Sequence, residues 1–570
     1  MKKILSLCML AFVMTMVAAG SSQGFISPDR MVNWSNPGPG VTGGIPSRTT
    51  IFANVKNSPY GAVGNGVADD TSAIQRAINA CPQDQVVYIP AGTYRITQSL
   101  RLDRRIVVRG DGPANTKIKL DSSTSQSVFA VGTYSENNRI DDLTGGYTKG
   151  STSIIASDPF WFQAGDYIII SQLDTGNPLI GSTGCGWFKR SQRSIGQTLK
   201  ITGKSGNTLT VDPPLHWTYE AKYSPQIERV AVNLTNSLEY AGIEDLYMER
   251  SQNSGQQHYM IQVWNAANCW FKNIESYRVS GRHIALFRSF RCTIRDSYFH
   301  HAWAYTSGGL AYGISIANYS SDNLIENNIV YYLNFPIALE NSGGGNVIAY
   351  NYTEGAWLNE GDKMYQMADI GTHCDYPHME LFEGNWSTHI CPDYEHGGSG
   401  YLTFFRNHLD GETTFPKDSP PIPSTNNNNG AFDIRQMNTN MNIVGNVLLK
   451  PGDTGQYECF LTGSPQCNSG VTTRYVYKFQ NTGDIYTTAY RQGNYNYITN
   501  SAIWVNSTVE TLPNSLYLTS KPAFFGSLLW PPFGPDVNPK IGTIPAKQRF
   551  DGGSSPAFVP RPPGNLRPES

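Results

Sequence analysis

An apolar residue, two spacers and an asparagine, followed by another apolar or aromatic residue, return along this chain at intervals that call for stacked repeating units. The copies run from Ile325 to Val330 around Asn328, Ile348 to Tyr352 around Asn351, and Phe382 to Trp386 around Asn385. They continue from Phe404 to Leu409 around Asn407 and Ile443 to Leu448 around Asn446. Two earlier copies lack the asparagine: Phe271 to Ile274, and Ile294 to Phe299 with Ser297 at the equivalent point. The aligned positions 274, 297, 328, 351, 385, 407 and 446 lie 23, 31, 23, 34, 22 and 39 residues apart. The base period is therefore 22–23 residues, with three rungs lengthened by insertions. Strand-forming residues at the centre of each copy, set among Gly and Asn, predict coils of β-strand rather than helix pairs. One coil cannot bury its apolar side alone, so neighbours stack over one continuous core. Parallel strands then lie roughly 4.8 Å apart, and residues of equal phase pile into columns. A column of Asn predicts side-chain amides that satisfy the backbone at a tight bend.

Composition agrees with one elongated β-solenoid. The 570 residues include 55 Gly, and only 15% are charged, which favours strands and turns over helix. The net charge of −2 gives no footprint for nucleic acid. Lys2 and Lys3 precede an apolar run, Ile4 to Val17, then small residues, so residues 1–20 read as a secretory signal. The run is short for a membrane span, and no later stretch is long enough, so an extracellular or periplasmic protein is expected. Eight cysteines follow the signal. Cys459 with Cys467, and Cys374 with Cys391, could pair, whereas Cys269 and Cys292 fit stacked thiols.

The expected organisation is an extended lead-in (21–50), a β-solenoid (51–525) and a Pro/Gly-rich tail (526–570). Residues 144–222 break the coil rhythm and read as a small inserted antiparallel β-subdomain. Ile74, Ala77, Ile78 and Cys81 share a helical face behind candidate N-caps Asp69 to Ser72, which predicts a short helix capping the first coil. The runs Gly64 to Cys81, Val86 to Ile96 and Val107 to Gly112 resemble the N-terminal signature of the pectate-lyase-like superfamily. That resemblance implies a right-handed parallel β-helix and a polysaccharide partner. It does not fix the reaction, because lyases, hydrolases, epimerases and phage tailspikes share the fold.

Candidate chemistry sits in the insertion between Asn351 and Asn385 and the rung after it. Ladder phase also sets His300 or His301, Glu354, His389 and Asp410 along one side of the stack. A hydrolase needs two carboxylates, one kept protonated; Glu354, Asp369, Asp393 and Asp410 are the candidates. A lyase needs a base for the proton α to a uronate carboxylate, plus positive charge. His301 and the histidines beyond it, with Arg282, could supply these. A lyase could also draw Ca²⁺ to carboxylates such as Asp362 and Asp369. No zinc-type spacing occurs. The Gly-His-Gly and Arg-Ile-Lys motifs of polygalacturonase-like hydrolases are absent; His396-Gly397-Gly398 is a loose echo. The segment Tyr376 to Asn407 resembles one in secreted bacterial β-helix proteins, and that resemblance puts His378, Asp393 and His396 first as catalytic candidates. Trp303, Trp357 and Tyr365 are candidate sugar platforms, with Arg282 as a substrate cation. The expectation is a carbohydrate-active enzyme that cleaves or remodels a polysaccharide by β-elimination or hydrolysis. The competing expectation is a non-catalytic glycan-binding or adhesion protein. Both a monomer and a trimer fit the sequence.

Overall fold

The computed structural model describes residues 26–38, 44–122, 126–134, 139–181, 185, 190, 192–230, 238–253, 255, 257–360, 363–412, 430–467, 473–505 and 511–552. The secretory signal expected over 1–20, and the end of the tail, lie outside these residues. Strands return in threes to form coils. One coil holds Leu324–Glu326, Ile329–Leu333 and Phe335–Glu340, and the next holds Val347–Ala349, Tyr352–Glu360 and Ile370–Thr372. All three columns pair in parallel between coils, so the chain is a parallel β-helix. Its winding is right-handed, the hand that parallel crossover connections overwhelmingly adopt.

The repeat explains the core. Phe271, Ile294, Ile325, Ile348, Phe382, Phe404 and Ile443 pair one to the next and are buried. Across the interior, Ile261, Ile284, Ile314, Ile337, Ile370, Ile390 and Phe432 form the facing column. Burying one such side chain contributes roughly 1.5–3 kcal/mol, and the stack repeats that gain coil after coil.

Three residues after each apolar knob the chain turns. The residue just before the ladder position is left-handed: φ is 55° at Asp296, 56° at Asn327, 55° at Tyr350, 65° at Gly384, 50° at Arg406 and 68° at Gly445. At this bend the backbone N–H groups lose strand partners, and the asparagines replace them. Asn328 N–H donates to Asn351 Oδ1 (2.9 Å), Asn351 N–H to Asn385 Oδ1 (3.0 Å), and Asn385 N–H to Asn407 Oδ1 (3.0 Å). Asn407 N–H donates to Asn446 Oδ1 (2.9 Å), and Asn446 N–H to Asn494 Oδ1 (3.0 Å). Each Nδ2 also donates to a carbonyl of the preceding coil, as Asn351 does to Ile325 (2.9 Å). Ser297 fills the same role at the start, accepting from Ile274 N–H at 3.1 Å. The ladder thus extends one coil beyond the pattern in the sequence, to Asn494.

The insertion is a closed six-stranded antiparallel barrel spanning Ile140–Gly145 to Gln226–Arg229, wider than the 144–222 read from the sequence. A helix, Thr71–Ala80, lies against Leu100–Leu102, the end strand of the seven-stranded sheet, and buries Ala73, Ile74, Ala77 and Ile78. Cys459 pairs with Cys467. Cys374 pairs with Cys185 instead of Cys391, with the two Cα atoms 5.2 Å apart. Cys269 and Cys292 are buried thiols. Much of the segment beyond 511 is packed: Phe525, Phe533, Ile544 and Ala546 are buried with Tyr350 and Tyr352. Among the described residues, no helix is long and apolar enough to cross a membrane.

Candidate active-site groove

The third strand of each coil has an inner face, in the core, and an outer face. Along the outer face one column reads Glu340, His373, Asp393, Arg435. The pairing fixes this order: His373 N–H donates to Leu339 O (2.9 Å), Asp393 N–H to Thr372 O (3.2 Å), and Arg435 N–H to Pro392 O (3.4 Å). Successive side chains of opposite or complementary charge therefore stand about one strand spacing apart. They form the floor of a groove of about 870 Å³. The loop at Gly308 and Gly309 and the hairpin of Tyr352–Glu360 with Lys363–Gln366 make its walls, and Tyr312, Phe335 and Tyr365 supply aromatic surface.

His373 is the chemical centre of this floor. Its Nδ1 lies 2.6 Å from Asp393 Oδ2. A carboxylate only accepts, so Nδ1–H donates and Nε2 is left as the ring's proton-exchanging position. Burial works against the imidazolium, but the charge and hydrogen bond of Asp393 outweigh it, and the His373 pKa is raised above its usual value. The His396 ring stands edge-on to His373 at 4.8 Å. Beside them Arg282, which is almost fully buried, donates Nη2–H to Glu340 Oε1 (2.8 Å), Nε–H to Ser315 Oγ (3.0 Å) and Nη1–H to Gln257 Oε1 (3.3 Å). The Tyr312 ring flanks its guanidinium at 4.8 Å. Arg435 donates to Asp433 Oδ2 at 2.5 Å. The groove thus combines an oriented imidazole with two arginines whose geometry is fixed by carboxylates.

Of the residues singled out from the sequence, Asp393, His396, Arg282, Tyr365 and, among the histidines beyond His301, His373 line this groove, and the others do not. His378 is fully buried; its Nδ1–H donates to Tyr376 O (2.8 Å), and its ring meets Trp217 of the inserted barrel at 5.1 Å. Trp357 is fully buried and offers no face to a ligand. Trp303 lies under Arg278 at 5.0 Å, and His301 packs against Tyr332. The phase reading of the second column holds in register, since Tyr277, His300, Tyr331 and Glu354 pair in succession. That face, however, is covered by Pro545–Phe550: Phe550 packs on Tyr331 (5.0 Å) and Tyr352 (4.8 Å). Glu354 accepts a hydrogen bond from Tyr352 there, and Asp410 accepts one from Trp386 Nε1–H (3.3 Å). Burial raises Asp410 to about 6 and Asp369 to about 7; Asp369 Oδ2 accepts from Thr388 N–H (2.6 Å). Asp362 lies outside the described residues. His373 was among the sequence candidates only as one of the histidines beyond His301, and Glu340 and Arg435 were not among them. The only signal for Glu340 and Arg435 was equal phase in the third strand, hidden by unequal insertions.

A family model described as rhamnogalacturonase A/epimerase, pectate lyase-like, matches residues 52–330. Mannuronan C5-epimerase AlgE5 of Azotobacter vinelandii is 35% identical over 114 residues, covering 18% of this chain and 11% of the epimerase. A probable glucan endo-1,3-beta-glucosidase of Arthroderma benhamiae is 38% identical over 60 residues, covering 10% of this chain and 7% of that protein. This chain therefore spans about a tenth or less of these relatives' lengths. Among solved structures, the tailspike gp61 of Pseudomonas phage phi297 aligns over 78% of this chain and 74% of its own, with a TM-score of 0.48 and 15% identity. The stacked coils make this chain a right-handed parallel β-helix protein, and both the signature between Gly64 and Gly112 and the matched model, over just under half of its length, are similar to the pectate-lyase-like superfamily.

Proposed function

We propose that the protein is an exported enzyme acting on an acidic polysaccharide, and that its reaction begins when His373 takes the proton α to a uronate carboxylate. The observation that carries this reading is the Asp393–His373 pair set between Arg282 and Arg435 on the groove floor. Asp393 fixes the tautomer, so neutral Nε2 is the base. Removing that proton places negative charge on the carboxylate as an enolate, and the fixed cations Arg282 and Arg435 stand where they would stabilise it. The electron pair then expels the oxygen at the β carbon, which takes up a proton from solvent as the C–O bond breaks. The chain is cleaved, and one fragment ends in an unsaturated uronate. Tyr312, Phe335 and Tyr365 offer ring surfaces to the sugars. The Cys185–Cys374 and Cys459–Cys467 disulfides suit an oxidising compartment.

Hydrolysis fits the groove less well. It needs one carboxyl held protonated beside the scissile bond. Glu340 is paired with the Arg282 guanidinium, Asp393 is committed to His373 Nδ1–H, and Glu360 and Glu395 are exposed at the rim. The carboxyls that burial raises, among them Asp410 to about 6, Asp369 and Glu383 to about 7 and Glu380 to about 8, lie outside it. Epimerisation is the second reading, favoured by the match to a mannuronan C5-epimerase. It shares the first step and differs in returning the proton to the opposite face.

The test is incubation in D₂O with a panel of uronate and neutral polysaccharides, with and without Ca²⁺, followed by NMR and ultraviolet absorbance. Elimination gives the absorbance of an unsaturated uronate. Epimerisation gives deuterium at the α carbon with the chain intact. New reducing ends without either signal would overturn the proposal in favour of hydrolysis, and binding alone would make this a glycan-binding protein.

A further inference from the structure

Next to the groove column runs a second outward column: Ser315, Ala338, Gly371, Cys391, Asp433, Lys478. Its order follows from the pairs Ser315–Ala338, Ala338–Gly371 and Asp433–Lys478 and from the bonds Cys391 N–H to Ile370 O (3.1 Å) and Asp433 N–H to Ile390 O (3.0 Å). Cys391 and Asp433 are thus lateral neighbours on adjacent coils. His389, on the same side of its strand as Cys391, is the third member. One donor atom from each of His389, Cys391 and Asp433 lies within 4.8 Å of the others, the one such convergence of three ligand-type side chains among the described residues.

The remaining atoms of this trio are already committed, and in the manner of an outer shell. His389 Nδ1–H donates to Gly430 O at 2.7 Å, which fixes the ring and its tautomer. Its Nε2 is buried with no hydrogen-bond partner. Asp433 is fully buried, and both of its cations, Arg435 (2.5 Å) and Lys478 (2.7 Å), lie on Oδ2. Its Oδ1 is buried with no partner. Cys391 is a free, partly exposed thiol. A buried lone pair without a partner is costly, and here a ring nitrogen and a carboxylate oxygen share that cost at one place.

We propose that His389 Nε2, Cys391 Sγ and Asp433 Oδ1 form a metal site for a borderline divalent cation, Zn²⁺. Nitrogen, thiolate and carboxylate are the donors this ion takes, and three protein donors leave a fourth position for water. Bound Zn²⁺ holds its donors roughly 3.3–3.8 Å apart, so side-chain rotations of about an ångström close the trio. The thiol proton is released to solvent on binding. Thiolate and Asp433 together balance the ion's charge, which lets it sit near Arg435 and Lys478. The ion ties the coil of His389 and Cys391 to the coil of Asp433. Asp433 also positions Arg435 in the groove, so the site braces one groove arginine from behind.

The experiment uses the full chain, stripped with a chelator and titrated with Co²⁺ and then with Zn²⁺. One Co²⁺ per chain should give a thiolate-to-metal charge-transfer band in the near ultraviolet. The band should vanish in Cys391→Ser, with binding weakened about tenfold or more. Zn²⁺ should displace Co²⁺ and protect Cys391 from alkylation, read by peptide mapping of the wild-type protein, so a poorly folding variant does not block the test. Absence of the band in the wild type, its persistence in Cys391→Ser, or undiminished alkylation of Cys391 under saturating Zn²⁺ would each overturn the assignment.

Discussion

Two columns of this molecule obey the same geometry and carry opposite kinds of information. The asparagine column from Asn328 to Asn494 repeats one residue at every coil, is buried, and satisfies its own bends. The column from Glu340 through His373 and Asp393 to Arg435 changes residue at every coil and faces the groove. In a solenoid the stacking rule is the same for every face, so repetition marks what each coil needs to exist. A column that stops repeating is released from that need, and its residues answer to something outside the core.

The sharpest way to break the comparison is to exchange the two kinds of loss. On the second column, His373→Gln removes the proposed base. Turnover should fall about 10²–10⁴-fold, with thermal unfolding unchanged. Unfolding that moved with activity would mean that this column is structural too. On the first column, Asn385→Ala should do the reverse. It leaves the buried Asn351 N–H without a partner, at about 1–3 kcal/mol, and takes one of two donors from Ile348 O, while the groove residues stay in place. Denaturant unfolding measures this, and a loss under 1 kcal/mol would show that the ladder is dispensable. The subtlest test is Asp393→Asn. In the wild type, the raised pKa of His373 delays the neutral base, so activity climbs with pH through a value above the ordinary one. Without the Asp393 charge, burial dominates and the imidazolium is disfavoured. The acidic limb of the rate profile should then move to lower pH, with a smaller loss of rate than in His373→Gln. A limb that stayed put would remove His373 from the role of base.

The same contrast explains what was legible in the sequence. The coil repeat was visible because an apolar knob and an asparagine recur together. It failed at Asn494 because Arg491, paired with Ile443, occupies the apolar slot. The groove was not visible as a column, since positions 340, 373, 393 and 435 are separated by 33, 20 and 42 residues. Asp393 and His396 were found through the resemblance carried by Tyr376 to Asn407, Tyr365 as an aromatic of the insertion, and Arg282 as a cation near the coils. Phase counting from the asparagines reached the second strand, and its register was right for His300 and Glu354, whereas His389 falls on the third-strand column beside Cys391. Nothing in a local pattern could show that Pro545–Phe550, two hundred residues away, would return to cover that face. His378 looked catalytic beside Asp393 in sequence, yet successive residues of a coil point to different sides, and it went to Trp217.

The asparagine ladder also has a direction. Asn328 Nδ2 donates to Asn351 Oδ1, Asn351 to Asn385, Asn385 to Asn407, Asn407 to Asn446 and Asn446 to Asn494. The carboxamides therefore align head to tail, with every oxygen toward the first coils and one N–H of each toward the last. Aligned amides in a dry interior polarise one another, as peptide units do along a helix. The solenoid thus carries a line of dipoles along its bend, negative at the Ser297 end and positive at the Asn494 end. A coil duplicated anywhere in the stack would lengthen that line without reversing it, whereas a coil without its amide would cut it in two.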